Sequence, residues 1–407
     1  KVNKNKKNFL LENNISKNYY NNNFYLKNKK KLNKIIKNIQ NNLDYKKDIF
    51  HIFSKKFTLD FKKLQLSKFI KYKTVIIIGM GGSTLGAQSI YSYLKKKISK
   101  KFIFLDNLDQ TKIKQLKEKT KSENTLFIII SKSGNTIETL INCNLLKNKI
   151  SSKNSIIITE QKNSLLNIFA KKNNILQIAH KDYIGGRYSV LSEVGMVPAY
   201  FMGLKINNFR KNLLSFFKSK ENLIMSESII KLAHIYNSKK IKSIIFLNYA
   251  PQLNDFLYWC QQLMAESLGK KGKGILPVVS PVPRDHHSLM QLYLDGPKDK
   301  LFYIFSLNLN DKIKINSNIF DKSFNYAQNK ELSKVVLAQK KALIKTLEKK
   351  NIPFREFKIN QINEEILGEL FSYFMAETAL IGKLIGIDPF NQPAVEGVKN
   401  LTKKYLS

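Results

Sequence analysis

The sequence predicts an α/β protein of two domains, each a mainly parallel sheet with helices on both faces. Three observations predict it. Short, wholly apolar runs recur along the chain, each is followed by a stretch with helical periodicity, and the series runs twice, on either side of a polar stretch at Phe217–Glu227. An apolar run without alternation is a strand covered on both faces, and strands that alternate with helices pair in parallel through crossovers.

Residues 1–45 are rich in Lys and Asn and show no strong period; they read as an N-terminal arm, helical or partly disordered. The first domain is assigned to 46–217. In it "TVIIIG" is a strand, followed by a glycine turn and a helix through "TLGAQSIYSYL". "KFIFLD", "NTLFIII" and "NSIIIT" repeat the unit, and "SVLSEVGMVPAYFMGL" reads as one long apolar helix that closes it. The second domain is assigned to 218–407. There "KSIIFLNY", "GILPVVS", "KLFYIFSL" and "FREFKI" are strands, "NDFLYWCQQLMAESLG" and a segment around Val335–Lys349 are helices, and "LGELFSYFMAETALIGKLIGI" is helical and packs on the rest or on a partner.

Composition narrows the function. The 407 residues are 43% hydrophobic and 11% aromatic, enough for packed cores and against disorder. The formal charge of +40, from 70 Lys+Arg against 30 Asp+Glu, first suggests nucleic acid or an anionic membrane surface. The kind of cation argues otherwise. Only Arg187, Arg210, Arg284 and Arg355 are arginines, whereas nucleic-acid sites favour the arginine fork. Lys is spread along the whole chain among Asn and Ile, as an AT-rich coding sequence would produce, so no nucleic-acid partner is expected. Cys143 and Cys260 lie in apolar helical contexts without metal-ligand spacing, which fits a reducing compartment. No apolar stretch approaches the roughly 20 residues of a membrane span and no signal-peptide core is seen, so the reading is cytoplasmic, with no membrane partner.

Six stretches carry chemistry. "IIIGMGGSTLG" (76–86) ends a strand in glycines and Ser83 before a helix, which turns backbone N–H groups toward an anion. The glycine spacing is not that of a dinucleotide fingerprint, although Asp106 at the end of the next strand keeps that option open. "IIISKSGNTIET" (128–139) places Ser131, Ser133, Asn135 and Thr136 around Gly134 at the start of a helix, and neutral donors with a helix dipole suit a phosphate monoester. "GGRYSVLSEVG" (185–195) uses one of the four arginines, Arg187, for a structural ion pair or for oxyanion charge. "PVPRDHHSLMQLYLDGP" (281–297) holds His286 and His287, a poor metal site without a third ligand but a fair place for acid–base work. "DPFNQPAVEGVKN" (388–400) puts Gln392, Glu396 and Lys399 on one face of a helix start. In "QQLMAESLGKKGKG", Glu266 stands as a lone carboxylate before a glycine–lysine loop, read as mobile and as a cationic approach for an anion.

Taken in order, "GMGGSTLG", "SKSGNTIET", "GGRYSVLS", "QQLMAESLGK", "DHHSLMQ" and "PFNQPAVEGVK" resemble the glucose-6-phosphate isomerase family from about residue 76 to 399. The resemblance implies two flavodoxin-like sugar-isomerase domains, no metal, no organic cofactor, and reversible aldose–ketose isomerisation of glucose 6-phosphate and fructose 6-phosphate, a step of glycolysis and gluconeogenesis. It implies Glu266 as the base that moves a proton between sugar carbons 2 and 1 through a cis-enediolate, and Arg187 as the group that stabilises the enediolate. His287 matches the ring-opening histidine, and Lys399 the lysine that assists at the ring oxygen. Ser131, Ser133, Asn135 and Thr136 match the phosphate loop, Gly82 and Ser83 the sugar side, and Gln262 and Gln392 the substrate-contacting glutamines. In the family the ring-opening histidine comes from the neighbouring subunit, so a homodimer is implied. Asn135 stands where Thr is common, and Ala394 where the pattern has Gly. The motifs do not read the stereochemistry at carbon 2, so mannose 6-phosphate stays open as a substrate, as does a non-catalytic sugar-phosphate-binding protein.

Overall fold

The computed structural model describes residues 9–217, 219–308, 313–316 and 319–407, the side chains of 219–221 excepted. The first described element is β1 (Phe9–Asn14), which joins the later of two sheets. The earlier sheet is built from β2 (Thr74–Ile78), β3 (Lys101–Leu105), β4 (Thr125–Ile130), β5 (Ser155–Thr159) and β6 (Leu176–Ala179). They lie in the order β3-β2-β4-β5-β6, all parallel. The later sheet takes β7 (Ser243–Asn248), β8 (Leu276–Pro281), β9 (Lys300–Leu307) and β10 (Phe354–Ile359) in the order β1-β10-β9-β7-β8. β1 is antiparallel to β10 and the other pairings are parallel.

Strands β2, β4, β5, β7 and β9 are mostly apolar because both faces are covered. In β2 the two-residue period sends Val75 and Ile77 into the large central core and Ile76 and Ile78 into a second, smaller one. In β7, Ile244 and Phe246 enter the central core while Ile245 and Leu247 enter a third. A strand facing water on one side would alternate; these do not. Helix Glu364–Leu384 is apolar nearly all round for the same reason, being buried along almost its whole length.

Four stretches correct or sharpen the sequence reading. Segment 189–204 is not one helix: a 3₁₀ turn, Gly186–Leu191, leads into a short helix, Glu193–Phe201. Ser189 and Ser192 each donate to the carbonyl three residues back, at 2.7 Å, and Ser192 is extended. Such local serine bonds compete with the helix ladder and break it here. The polar stretch after Phe217 runs into helix Ser219–Ser238, whose later residues Ile229, Ile230, Leu232 and Tyr236 are buried. In the arm, β1 is followed by helix Asn22–Asn41, capped by Asn21 and packed through Leu32, Ile36 and Ile39. Short β6, with Gln177 in its middle, is a strand the sequence does not announce. Among the described residues no helix is long and apolar enough to cross a membrane. Cys143 and Cys260 are free and buried.

Helix Leu85–Tyr93, after β2, packs on helix Asn254–Leu268, after β7. That contact brings the loops at the ends of both sheets together.

Candidate active site

Four segments meet there: the 3₁₀ turn Gly81–Ser83 after β2, the turn Gly186–Leu191, helix Asn254–Leu268, and the chain 388–392. The first two touch main chain to main chain. A Cβ on Gly82 would stand 2.3 Å from Gly186 C and 2.5 Å from Arg187 N, so only glycine permits the approach.

Arg187 is the hub. It is 2% exposed, and each of its five N–H groups has a partner. Nε donates to Ser267 Oγ at 2.8 Å. Nη1 donates to Glu266 Oε2 at 3.0 Å and to Gln392 Oε1 at 2.8 Å. Nη2 donates to the carbonyls of Pro389 and Asn391 at 2.7 and 3.0 Å. A lysine ammonium has three donors on a single atom and cannot span these acceptors, which explains an arginine in a lysine-rich chain. The other oxygen of Glu266, Oε1, accepts from Gln262 Nε2 at 2.9 Å, one helical turn earlier. Gln262 Oε1 is buried without a hydrogen-bond partner among the described residues. Beneath, Tyr188 OH and Ser267 Oγ are 2.9 Å apart, and burial pushes the Tyr188 phenol up to about 12, so it stays a neutral donor.

The loop after β4 forms the second part. Ser131 Oγ and Thr136 Oγ1 are 3.0 Å apart, and Ser133 Oγ is 3.5 Å from Thr136 Oγ1. Gly134 N–H donates to Ser131 Oγ at 3.2 Å. Helix Ile137–Leu145 begins here with no side-chain cap, so its first N–H groups keep donor capacity for an anion. Asn135 turns its carbonyl elsewhere: Oδ1 accepts from Leu165 N at 3.0 Å, at the start of the next helix.

Two sequence-predicted residues stand apart from this cluster. His287 is exposed at the end of the 3₁₀ turn Arg284–His286, and its ring makes no hydrogen bond among the described residues. Its neighbour His286 is the one engaged, at 2.8 Å from Tyr249 OH. Lys399 lies on the exposed helix Val395–Leu406, paired with Glu396 at 2.7 Å. Gln392 precedes that helix rather than starting it. Ala394 sits in right-handed helical conformation, φ −66°, which a methyl group tolerates. Asp106, the carboxylate a dinucleotide reading would need, accepts from Gln88 Nε2 at 2.5 Å. Sequence reasoning missed Ser267, Tyr188 and the carbonyls of Pro389 and Asn391. The hydroxyls lie inside quoted motifs, but nothing local marks a carbonyl as an arginine's partner.

Two mainly parallel sheets with a loop-built site between them define the class: this is the two-sheet sugar-isomerase fold. A hypothetical protein from Thermus thermophilus superposes with a TM-score of 0.84 at 22% identity, over 98% of this chain and all of that one. A glucose-6-phosphate isomerase from Chlamydia trachomatis gives 0.70, also at 22% identity, over 84% and 72%. In sequence, the phosphoglucose isomerase model matches residues 36–277. A glucose-6-phosphate isomerase of Methanocaldococcus jannaschii is 32% identical over 81% of this chain and 83% of its own length. One from Mycoplasmopsis synoviae is 31% identical over 81% of each. The chain belongs to the phosphoglucose isomerase family.

Proposed function

We propose that this protein interconverts glucose 6-phosphate and fructose 6-phosphate, with Glu266 as the base and Arg187 as the enediolate's counter-charge. The observation that carries this is the pairing of the two: one carboxylate oxygen on Arg187 Nη1, the other on Gln262 Nε2, at the seam between the sheets. A base in that setting is oriented and largely shielded, its side chain 31% exposed.

The steps balance within the sugar. Glu266 takes the proton from carbon 2 of the open aldose and becomes neutral, while the electron pair moves onto the carbonyl oxygen at carbon 1 as a cis-enediolate. Neutral Glu266 holds Arg187 less, and the Nη1 bond it releases passes to the enediolate oxygen, where charge has just appeared. A proton passes from the hydroxyl oxygen at carbon 2 to the oxygen at carbon 1, and Glu266 then returns its proton to carbon 1, giving the ketose and regenerating the carboxylate. The phosphate lies on the hydroxyls of Ser131, Ser133 and Thr136 with Asn135 beside them, at the uncapped helix start; Gly82, Ser83, Gln262 and Gln392 take the sugar. A sugar hydroxyl gives the buried Gln262 Oε1 a donor.

Ring opening falls to His287 and Lys399, which requires groups distant from Glu266 in one chain. A homodimer supplies His287 from the neighbouring subunit. The working protein is cytoplasmic, without nucleic-acid partners, the lysine charge being solvated surface. The test is direct: purified protein and fructose 6-phosphate in deuterated water, with product identified by NMR. Glucose 6-phosphate carrying deuterium at carbon 2 is expected; neither conversion nor exchange would end the reading, and mannose 6-phosphate as the main product would correct its specificity.

A further inference from the structure

Two lysines of the loop after Glu266 do not point into solvent. Helix Asn254–Leu268 gives way to Gly269, and Lys270–Lys273 close a turn in which Lys273 N–H donates to Lys270 O at 2.9 Å. Its central residues, Lys271 (φ 51°) and Gly272 (φ 68°), are both left-handed, the type I′ arrangement, which sets the first and last residues side by side. Lys270 and Lys273 therefore reach the same neighbour: Lys270 Nζ donates to Asp388 O at 2.6 Å and Lys273 Nζ to Ile385 O at 2.5 Å. The mobile cationic approach read from the sequence is, at these two residues, a tie.

What they tie is the segment that holds Arg187. Helix Glu364–Leu384 ends in a Schellman cap, with Gly386 at φ 76° and Ile387 N–H donating to Gly382 O at 3.0 Å. Carbonyls at and beyond such a cap have no helical partner, and the lysines take two of them. Asp388 Oδ1 then accepts from Phe390 N at 2.9 Å, and the carbonyls of Pro389 and Asn391 close on Arg187 Nη2.

We propose that Lys270 and Lys273 are positioning residues for the isomerase site, clamping 385–388 so that the next carbonyls fix Arg187 against Glu266. This rests on the reading of Arg187 and Glu266 given above. The charged groups facing Lys270 are Arg187, Asp388 and Glu266; burial first, then Arg187, holds its amine down to about 8, against the opposite pull of the two carboxylates. The ammonium is thus charged below about pH 8 and loses its charge above it.

The test uses the full chain with Lys270→Met, Lys270→Arg and the double change Lys270→Met, Lys273→Met. Amide exchange across 385–392 should rise roughly tenfold or more in the double variant with the rest of the chain unchanged. Lys270→Met should lose about 10- to 100-fold in kcat with KM little changed, since small misplacements of a catalytic group cost that much. Lys270→Arg should restore most of it and move the alkaline fall of kcat/KM above pH 8. In an Arg187→Ala background Lys270→Met should cost less than about twofold, the mark of an effect routed through Arg187. Unchanged exchange overturns the clamp whatever the kinetics, and raised exchange with parental kcat/KM overturns its role in positioning. Should the parent protein turn over no sugar phosphate, exchange still decides the clamp, and the positioning role falls with the isomerase reading.

Discussion

Arg187 Nη1 and Glu266 Oε2 lie 3.0 Å apart although 79 residues separate them in sequence. One comes from a turn beyond the first sheet, the other from a helix beyond β7. In the proposed mechanism this contact joins a cation to a carboxylate that carries the proton, so its two ends should fail differently.

Glu266→Gln keeps the shape and the bond to Arg187 but removes basicity. Turnover of fructose 6-phosphate should fall by about 10²- to 10⁴-fold, the usual worth of a positioned base, with sugar-phosphate binding by calorimetry nearly unchanged. Near-parental turnover would remove Glu266 from the base role.

Arg187→Lys should harm stability as well as rate. An ammonium leaves buried acceptors among Ser267, Pro389 and Asn391 without donors, at about 1–3 kcal/mol each when fully orphaned. A loss of about 2–5 kcal/mol in urea unfolding and of about 10²- to 10³-fold in kcat/KM is expected. A variant as stable and active as the parent would reduce the five bonds to ornament.

Gly82→Ala tests the contact between the two loops. Its methyl would stand 2.3 Å from Gly186 C, a clash of main chain with no flexible side chain to yield. About 1–3 kcal/mol of destabilisation and at least about tenfold loss of activity should follow. The matched control is Gly397→Ala on the exposed final helix, where nothing lies within 4 Å; there stability should stay level or rise by about 0.5–1 kcal/mol.

Ser131→Ala with Thr136→Val removes two hydroxyls from the loop before helix Ile137–Leu145. KM for the sugar phosphate should rise by about tenfold or more while kcat changes less, because a remote phosphate is held alike in ground and transition states. A fall in kcat alone would place the phosphate elsewhere.

His287 carries the dimer prediction. Co-refolding equal amounts of Glu266→Gln and His287→Ala chains makes about half the dimers mixed. If His287 serves the neighbouring subunit, one site of a mixed dimer carries both lesions and the other neither, so activity should recover to about a quarter of the parent. With mixed dimers confirmed by mass, recovery no greater than the sum of the separate variants would confine His287 to its own chain.

The sequence by itself determined the apolar strands, β1 and β6 aside, because burial on both faces writes itself into consecutive side chains: each residue of "TVIIIG" reports its own surroundings. It also marked the arginines. Where Lys is used almost everywhere, Arg210 and Arg355 proved, like Arg187, to be forks: Arg210 on the carbonyls of Ile52, Ser54 and Leu191, Arg355 on Glu377. Arg284 alone is exposed, beside Asp285. What only the tertiary structure decided is who meets whom. β1 pairs with β10 across some 340 residues of chain, Gly82 closes on Gly186, and the carbonyls of Pro389 and Asn391, which no side chain advertises, complete Arg187. Periodicity is a local record of burial, whereas these contacts depend on how one helix, Leu85–Tyr93, packs on another, Asn254–Leu268. A main-chain carbonyl is chemically the same at every position, so its partner is set by where the fold delivers it.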